Sequence, residues 1–136
     1  MIRYSYLWAR ESEDKRAEGV KDRPCAIVVA ILRPNLPGPL VRVLPITHSP
    51  PVDPRAALEL PQSTKQRLGL DDERSWIVLS ECNDFVWPGP DLRPSINGDL
   101  ATVAHGILPP NFLKILKARL LERIHAKRFK TVSRTK

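Results

Sequence analysis

Apolar positions in this chain come in short bursts punctuated by proline and glycine, and the period changes only near residue 110. Residues 2–9, IRYSYLWA, are aromatic-rich and roughly alternate, which predicts a first strand. Residues 10–22, RESEDKRAEGVKD, are almost wholly polar and charged and predict a long loop. CAIVVAIL, at 25–32, is a continuous apolar run of the kind found in a strand buried on both faces. RPNLPGP, at 33–39, is turn chemistry, and LVRVLPI, at 40–46, alternates as a hairpin partner in which Pro45 marks an edge or a bulge. ALEL at 57–60 predicts a short strand. STKQRLGL at 63–70 predicts a short helix capped by Ser63 or Thr64, with Gly69 near its end. WIVLSEC at 76–82 predicts one further strand, broken by VWPGPDLRP at 86–94.

Beyond Pro109 the spacing becomes helical. Pro110 suits a first helical turn, and Leu113, Leu116, Leu120 and Ile124 recur every three or four residues as one apolar stripe. Residues 126–136 are basic and read as a frayed tail, so the expected layout is one domain over 1–125 followed by that tail. Four to six short strands, one small helical insertion and one terminal helix describe a strongly bent, mostly antiparallel barrel with a helix against it.

Composition narrows the class. A chain of 136 residues with 42% hydrophobic and 27% charged residues suits one soluble domain, and 14 prolines argue against long helices through most of it. No run approaches the roughly 20 apolar residues needed to span a bilayer, and the N-terminus lacks a signal peptide's apolar region, so the expectation is a cytoplasmic protein without membrane contact. Cys25 and Cys82 sit in strand patterns without metal-ligand spacing and read as buried free thiols, and no metal or cofactor is expected. Nine of the 22 Lys and Arg residues, but only one of the 15 Asp and Glu, lie in 114–136, so the net charge of +7 belongs to that segment. Such a segment either solvates the chain or suits a polyanion.

The stretch DRPCAIVV, at 22–29, sets Arg23 at the mouth of an apolar strand, where an unpaired guanidinium is costly to desolvate. Two readings stay open from spacing alone: Arg23 pairs with an acid such as Asp22, Glu81 or Asp84, or it awaits an anion. Taken with PITHS (45–49), WIVLSEC and HGILPPNFLKILKARLLERI (105–124), the order of motifs resembles the MazF/PemK toxins. Those are bacterial endoribonucleases with an SH3-like barrel of about five to six strands. The likeness is spread over nearly the whole chain.

The resemblance implies metal-independent cleavage of single-stranded RNA by attack of the ribose 2′-OH. Such chemistry needs a base for that hydroxyl and donors for the charge that develops on the phosphate. On this reading the catalytic residues are Arg23 and Thr47 as phosphate donors and Glu81 as the base. Thr47 read without the resemblance is a residue that caps a turn. Leu79 and Asp84 stand where members of the family carry basic residues, and Cys82 stands where several carry glutamine. His48 is a candidate proton carrier or RNA contact. Phe85 and Trp87, with Trp76 nearby, either stack bases or seal the barrel and a dimer contact. Implied partners are single-stranded RNA, a small antitoxin protein and a second copy of the chain in a homodimer. Two other classes stay open: a catalytically silent barrel that binds RNA or protein, and a pure protein-interaction module.

Overall fold

The structure, a computed structural model, describes residues 1–10, 22–93, 104 and 106–134. Their order is β1 (Ile2–Tyr4), β2 (Arg23–Ile31), β3 (Leu40–Thr47), a 3-10 turn (Pro54–Ala56), β4 (Ala57–Glu59), α1 (Gln62–Arg67), β5 (Trp76–Val78), β6 (Glu81–Val86), α2 (Pro110–His125) and β7 (Lys130–Ser133). The fold is mainly β with a C-terminal helix. Residues 11–21 of the polar stretch read as a loop, and His105, lie outside the described residues.

β3 organises the sheet because it is apolar on both faces. Val41 and Val43 enter one cluster with Ile2, Tyr4, Tyr6, Cys25 and Phe85. Leu44 and Ile46 enter another, with Leu60, Ile77 and Leu79, which α2 closes through Leu116 and Leu120. β2 runs antiparallel along one edge of β3, from Cys25↔Pro45 to Ile31↔Leu40. Two strands share the other edge: β6 pairs with residues 40–43 and β5 with residues 46 and 47. Pro45 falls between those two partners, where a missing N–H removes no ladder bond on that side. β1 adds to the start of β2, β4 adds to β5, and β7 adds to β6 as the one parallel pairing among the described residues.

Several expectations need correction. The run 76–82 is two strands, because the chain leaves one ladder for the other at Leu79 and Ser80. There the Leu79 N–H donates to Ala56 O at 2.8 Å and Ser80 O accepts from the Lys130 N–H at 3.0 Å. The run 25–32 is buried on both faces only at its start: beyond a register shift at Ile27/Val29, the side chains of Val29, Ile31 and Leu32 are exposed. β1 reaches only to Cys25, so the far half of the hairpin runs past its cover. Neither Ser63 nor Thr64 caps α1, whose N-cap position is Pro61. On α2, Leu116 and Leu120 are buried, while Leu113 and Ile124 flank them half-buried. The expected frayed tail instead returns as β7, because Val132 has an apolar site beside Leu7 and Ala9.

The first strand is also shorter than predicted. Residues 5–9 leave the ladder after Tyr4 yet stay largely buried, since a side chain takes the place of a neighbouring strand. Fully buried Asn83 accepts from the Leu7 N–H at 2.9 Å and donates to Leu7 O at 2.8 Å. Gly38, in the β2–β3 turn, allows the chain at Trp87 to close on the hairpin. A Cβ there would lie 2.6 Å from Trp87 O, next to the bond from the Trp87 N–H to Pro39 O at 2.9 Å. Among the described residues no helix is long and apolar enough to cross a membrane.

Candidate active site

The segment carried by Asn83 crosses the start of β6 and brings backbone and aromatic groups onto Glu81. Glu81 Oε1 accepts from the Tyr6 hydroxyl at 3.1 Å and from the Ala9 N–H at 2.8 Å. Burial pushes the Glu81 carboxyl above its ordinary value. The Ala9 N–H, the Tyr6 hydroxyl and the charges of Arg10 and Lys130 oppose that rise. A half-buried carboxyl raised in this way holds its proton more tightly than an exposed one and can exchange it with a neighbouring hydroxyl. Burial and the neighbouring carboxylate push the Tyr6 phenol well above its ordinary range, so it stays a donor.

Trp8 continues the chain of contacts. Its ring meets Tyr6 edge-on at 5.1 Å, and the guanidinium groups of Arg10 and Arg23 lie 5.3 and 4.9 Å from its centroid. Arg23 opens β2, and its Nη1 donates to Ile46 O at 3.1 Å, one residue before Thr47. The cation is thus oriented by an aromatic face and a carbonyl at the end of β3. Nearby, Asp84 makes a two-pronged bond to Arg42, Glu81 holds Tyr6 and Ala9, and Asp22 approaches Arg3 and Arg93. Thr47 Oγ1 accepts from the Ser49 N–H at 3.1 Å, so its hydroxyl caps the turn that ends β3 and keeps its proton available to a ligand.

The structure sets three candidates apart from this group. Phe85 is 2% exposed and stacks on Tyr4 at 4.8 Å, which makes it a core ring. Trp87 is half-buried beyond the far end of β6, roughly 20 Å from Glu81 at about 3.3 Å per strand residue. His48 lies against the α1–β5 loop, with Nε2 2.9 Å from Asp71 and 3.4 Å from Glu73. His48, Asp71 and Glu73 are residue types that ligate metals, and among the described residues they are the group that comes close enough to do so. Asp71 and Glu73 also hold a buried cation. The buried Lys65 ammonium, 1% exposed, donates to Asp71 at 2.6 Å, to Ser75 Oγ at 2.7 Å and to Glu73 O. Trp76 is buried under the Arg74 guanidinium. Both cysteines are free and buried. Burial pushes the Cys25 thiol far up and the Cys82 thiol up to about 12, so neither is a nucleophile at neutral pH.

Sequence reasoning missed Tyr6, Trp8, Arg10, Asn83 and Lys130. The available clue was YSYLWAR itself, where aromatic residues adjoin an arginine at the edge of a polar stretch. Compared with models of protein families, with curated proteins and with solved structures, the chain matches none.

Proposed function

We propose that the chain is a metal-independent endoribonuclease of the MazF/PemK kind, acting on single-stranded RNA as a toxin. What carries the reading is the line from the half-buried Glu81 carboxyl through Tyr6 and Trp8 to Arg23 at the strand mouth beside Thr47. Glu81 takes the proton of the 2′-OH as its oxygen attacks phosphorus. The P–O2′ bond forms while the P–O5′ bond breaks, and the departing 5′ oxygen takes a proton from water. Arg23 and Thr47 donate to the non-bridging oxygens, whose charge grows in the transition state. The products are a 2′,3′-cyclic phosphate and a free 5′-hydroxyl. On the same reading the sheet bent around β3 is an SH3-like barrel, the working unit is a cytoplasmic homodimer, and a small antitoxin protein covers the cleft.

The test is incubation of the purified chain in EDTA with a long single-stranded RNA of varied sequence, followed by analysis of the product ends. Cyclic phosphate ends support the reading, and intact RNA removes it. A second reading, a silent barrel that binds a protein, is favoured by exposed Val29, Ile31 and Leu32 at the hairpin tip.

A further inference from the structure

The β6–β7 register places Glu81 directly opposite Lys130. Paired residues in adjacent strands present their side chains to the same face. The next pair shows this here, with Cys82 Sγ 3.6 Å from Thr131 Oγ1. We propose that Lys130 is a positioning residue of the Glu81 site: its ammonium, carried there by the last strand, sets the charge state of the carboxylate. The proposal rests on Glu81 serving as the base of the reading above, but its central measurement needs no substrate.

β7 is held firmly enough for this role. The Lys130 N–H donates to Ser80 O, and the Arg134 N–H donates to Asp84 O at 2.8 Å. Between them Val132 packs on Leu7 and Ala9, the residues flanking the loop that delivers the Ala9 N–H to Glu81. Arg134 Nη1 lies 3.3 Å from Asn83 Oδ1, the atom that holds Leu7. The strand therefore supports both the cation and the segment folded over the carboxylate.

The residues next to Glu81 in sequence supply no positive charge. Asp84 is an acid and engages Arg42, Leu79 just before β6 is buried and apolar, and the Cys82 thiol stays neutral. The N-terminal segment contributes the neutral Tyr6 hydroxyl, the Ala9 N–H and the exposed Arg10. Lys130 and Arg10 are the two cations that act on the carboxylate among the described residues, and Lys130 is the one fixed in a strand ladder.

The experiment is a carboxyl-carbon NMR titration of Glu81 in the full-length wild type, Lys130→Met, Lys130→Gln and Lys130→Arg. Loss of the cation should raise the Glu81 midpoint at low salt, with a smaller rise in high salt. Lys130→Arg should restore the wild-type midpoint. If the protein cleaves RNA, the acidic limb of its kcat/KM profile should move by the same amount and be rescued by Lys130→Arg. Wild-type midpoints in folded Lys130→Met or Lys130→Gln overturn the proposal. Inert wild type on RNA overturns the nuclease reading alone, since the titration still decides what Lys130 does.

Discussion

Arg134 meets Asp91 at 2.6 Å with both side chains almost sealed from water, at 4% and 7% exposure. The pair ties the end of the chain to the loop after β6, and the same guanidinium donates to Ser5 O at 2.8 Å. Removing one partner of a buried ion pair strands the other charge. Arg134→Ala is expected to cost about 3–5 kcal/mol in denaturant unfolding. Replacing both residues by apolar ones of similar volume should recover much of that loss. An Arg134→Ala protein as stable as wild type would show that the Arg134–Asp91 pair does not hold the chain there.

Asn83 makes a second sharp prediction. Asn83→Ala leaves the buried N–H and carbonyl of Leu7 without their side-chain partners, at about 1–3 kcal/mol for each unsatisfied group. Asn83→Asp keeps the acceptor, beside the Arg134 guanidinium, but loses the donor to Leu7 O, so it should also destabilise. Hydrogen exchange at Leu7 reports the effect locally. Unchanged protection there in Asn83→Ala would contradict the role given to this side chain.

These two residues mark what the sequence left hidden. The strand positions of β2, β3 and β5, the turn at 33–39 and the stripe on α2 are legible because burial imposes a period of two or of 3.6. Segment 5–9 keeps an aromatic pattern but leaves the ladder, and no periodicity announces that an asparagine 76 positions away will pair with it. Residues 126–136 read as a solvated tail because five of those eleven residues are lysine or arginine. One buried valine and one buried arginine decide its place instead. Of the candidate site, Arg23, Thr47 and Glu81 are proposed through the family resemblance, while Tyr6, Trp8 and Lys130 come in through contacts across the fold. Of the two readings open for Phe85, stacking bases or sealing the barrel, its burial beside Tyr4 fits the second.

Glu81 gives a pH prediction with a definite sign. Its folded-state pKa is raised, mainly by burial, so the folded chain holds this proton more tightly than the unfolded one. The resulting stability is fully present below the ordinary glutamate value and is lost as pH rises through the raised folded-state value. Glu81→Gln keeps an oxygen that can accept from Tyr6 and Ala9 but does not titrate. Its stability relative to wild type should therefore grow as pH rises across that window and then level off. Denaturation midpoints measured from pH 4 to 8 test this, and a difference that shrinks with rising pH would contradict it.

On the helix, Leu120→Ala and Leu116→Ala should each cost about 2–5 kcal/mol, because both side chains close the cluster around Leu44 and Ile77. Exposed Lys117→Ala should change stability by no more than about 0.5 kcal/mol. Equal effects at positions 117 and 120 would mean that α2 does not pack through this stripe.

Arg23 carries the central claim, and its contribution to RNA cleavage is the most direct measurement of it. With protein in excess over a single-stranded RNA in EDTA, wild type should cleave, and folded Arg23→Ala should be slower by about 10²–10³-fold, as expected for the loss of one preorganised donor. Arg23→Lys should rescue poorly, since an ammonium cannot reproduce the planar fork. Thr47→Ala should fall between wild type and Arg23→Ala. Equal rates for wild type and folded Arg23→Ala, or no cleavage by either, would contradict the claim that Arg23 stands at the mouth of β2 to meet a scissile phosphate.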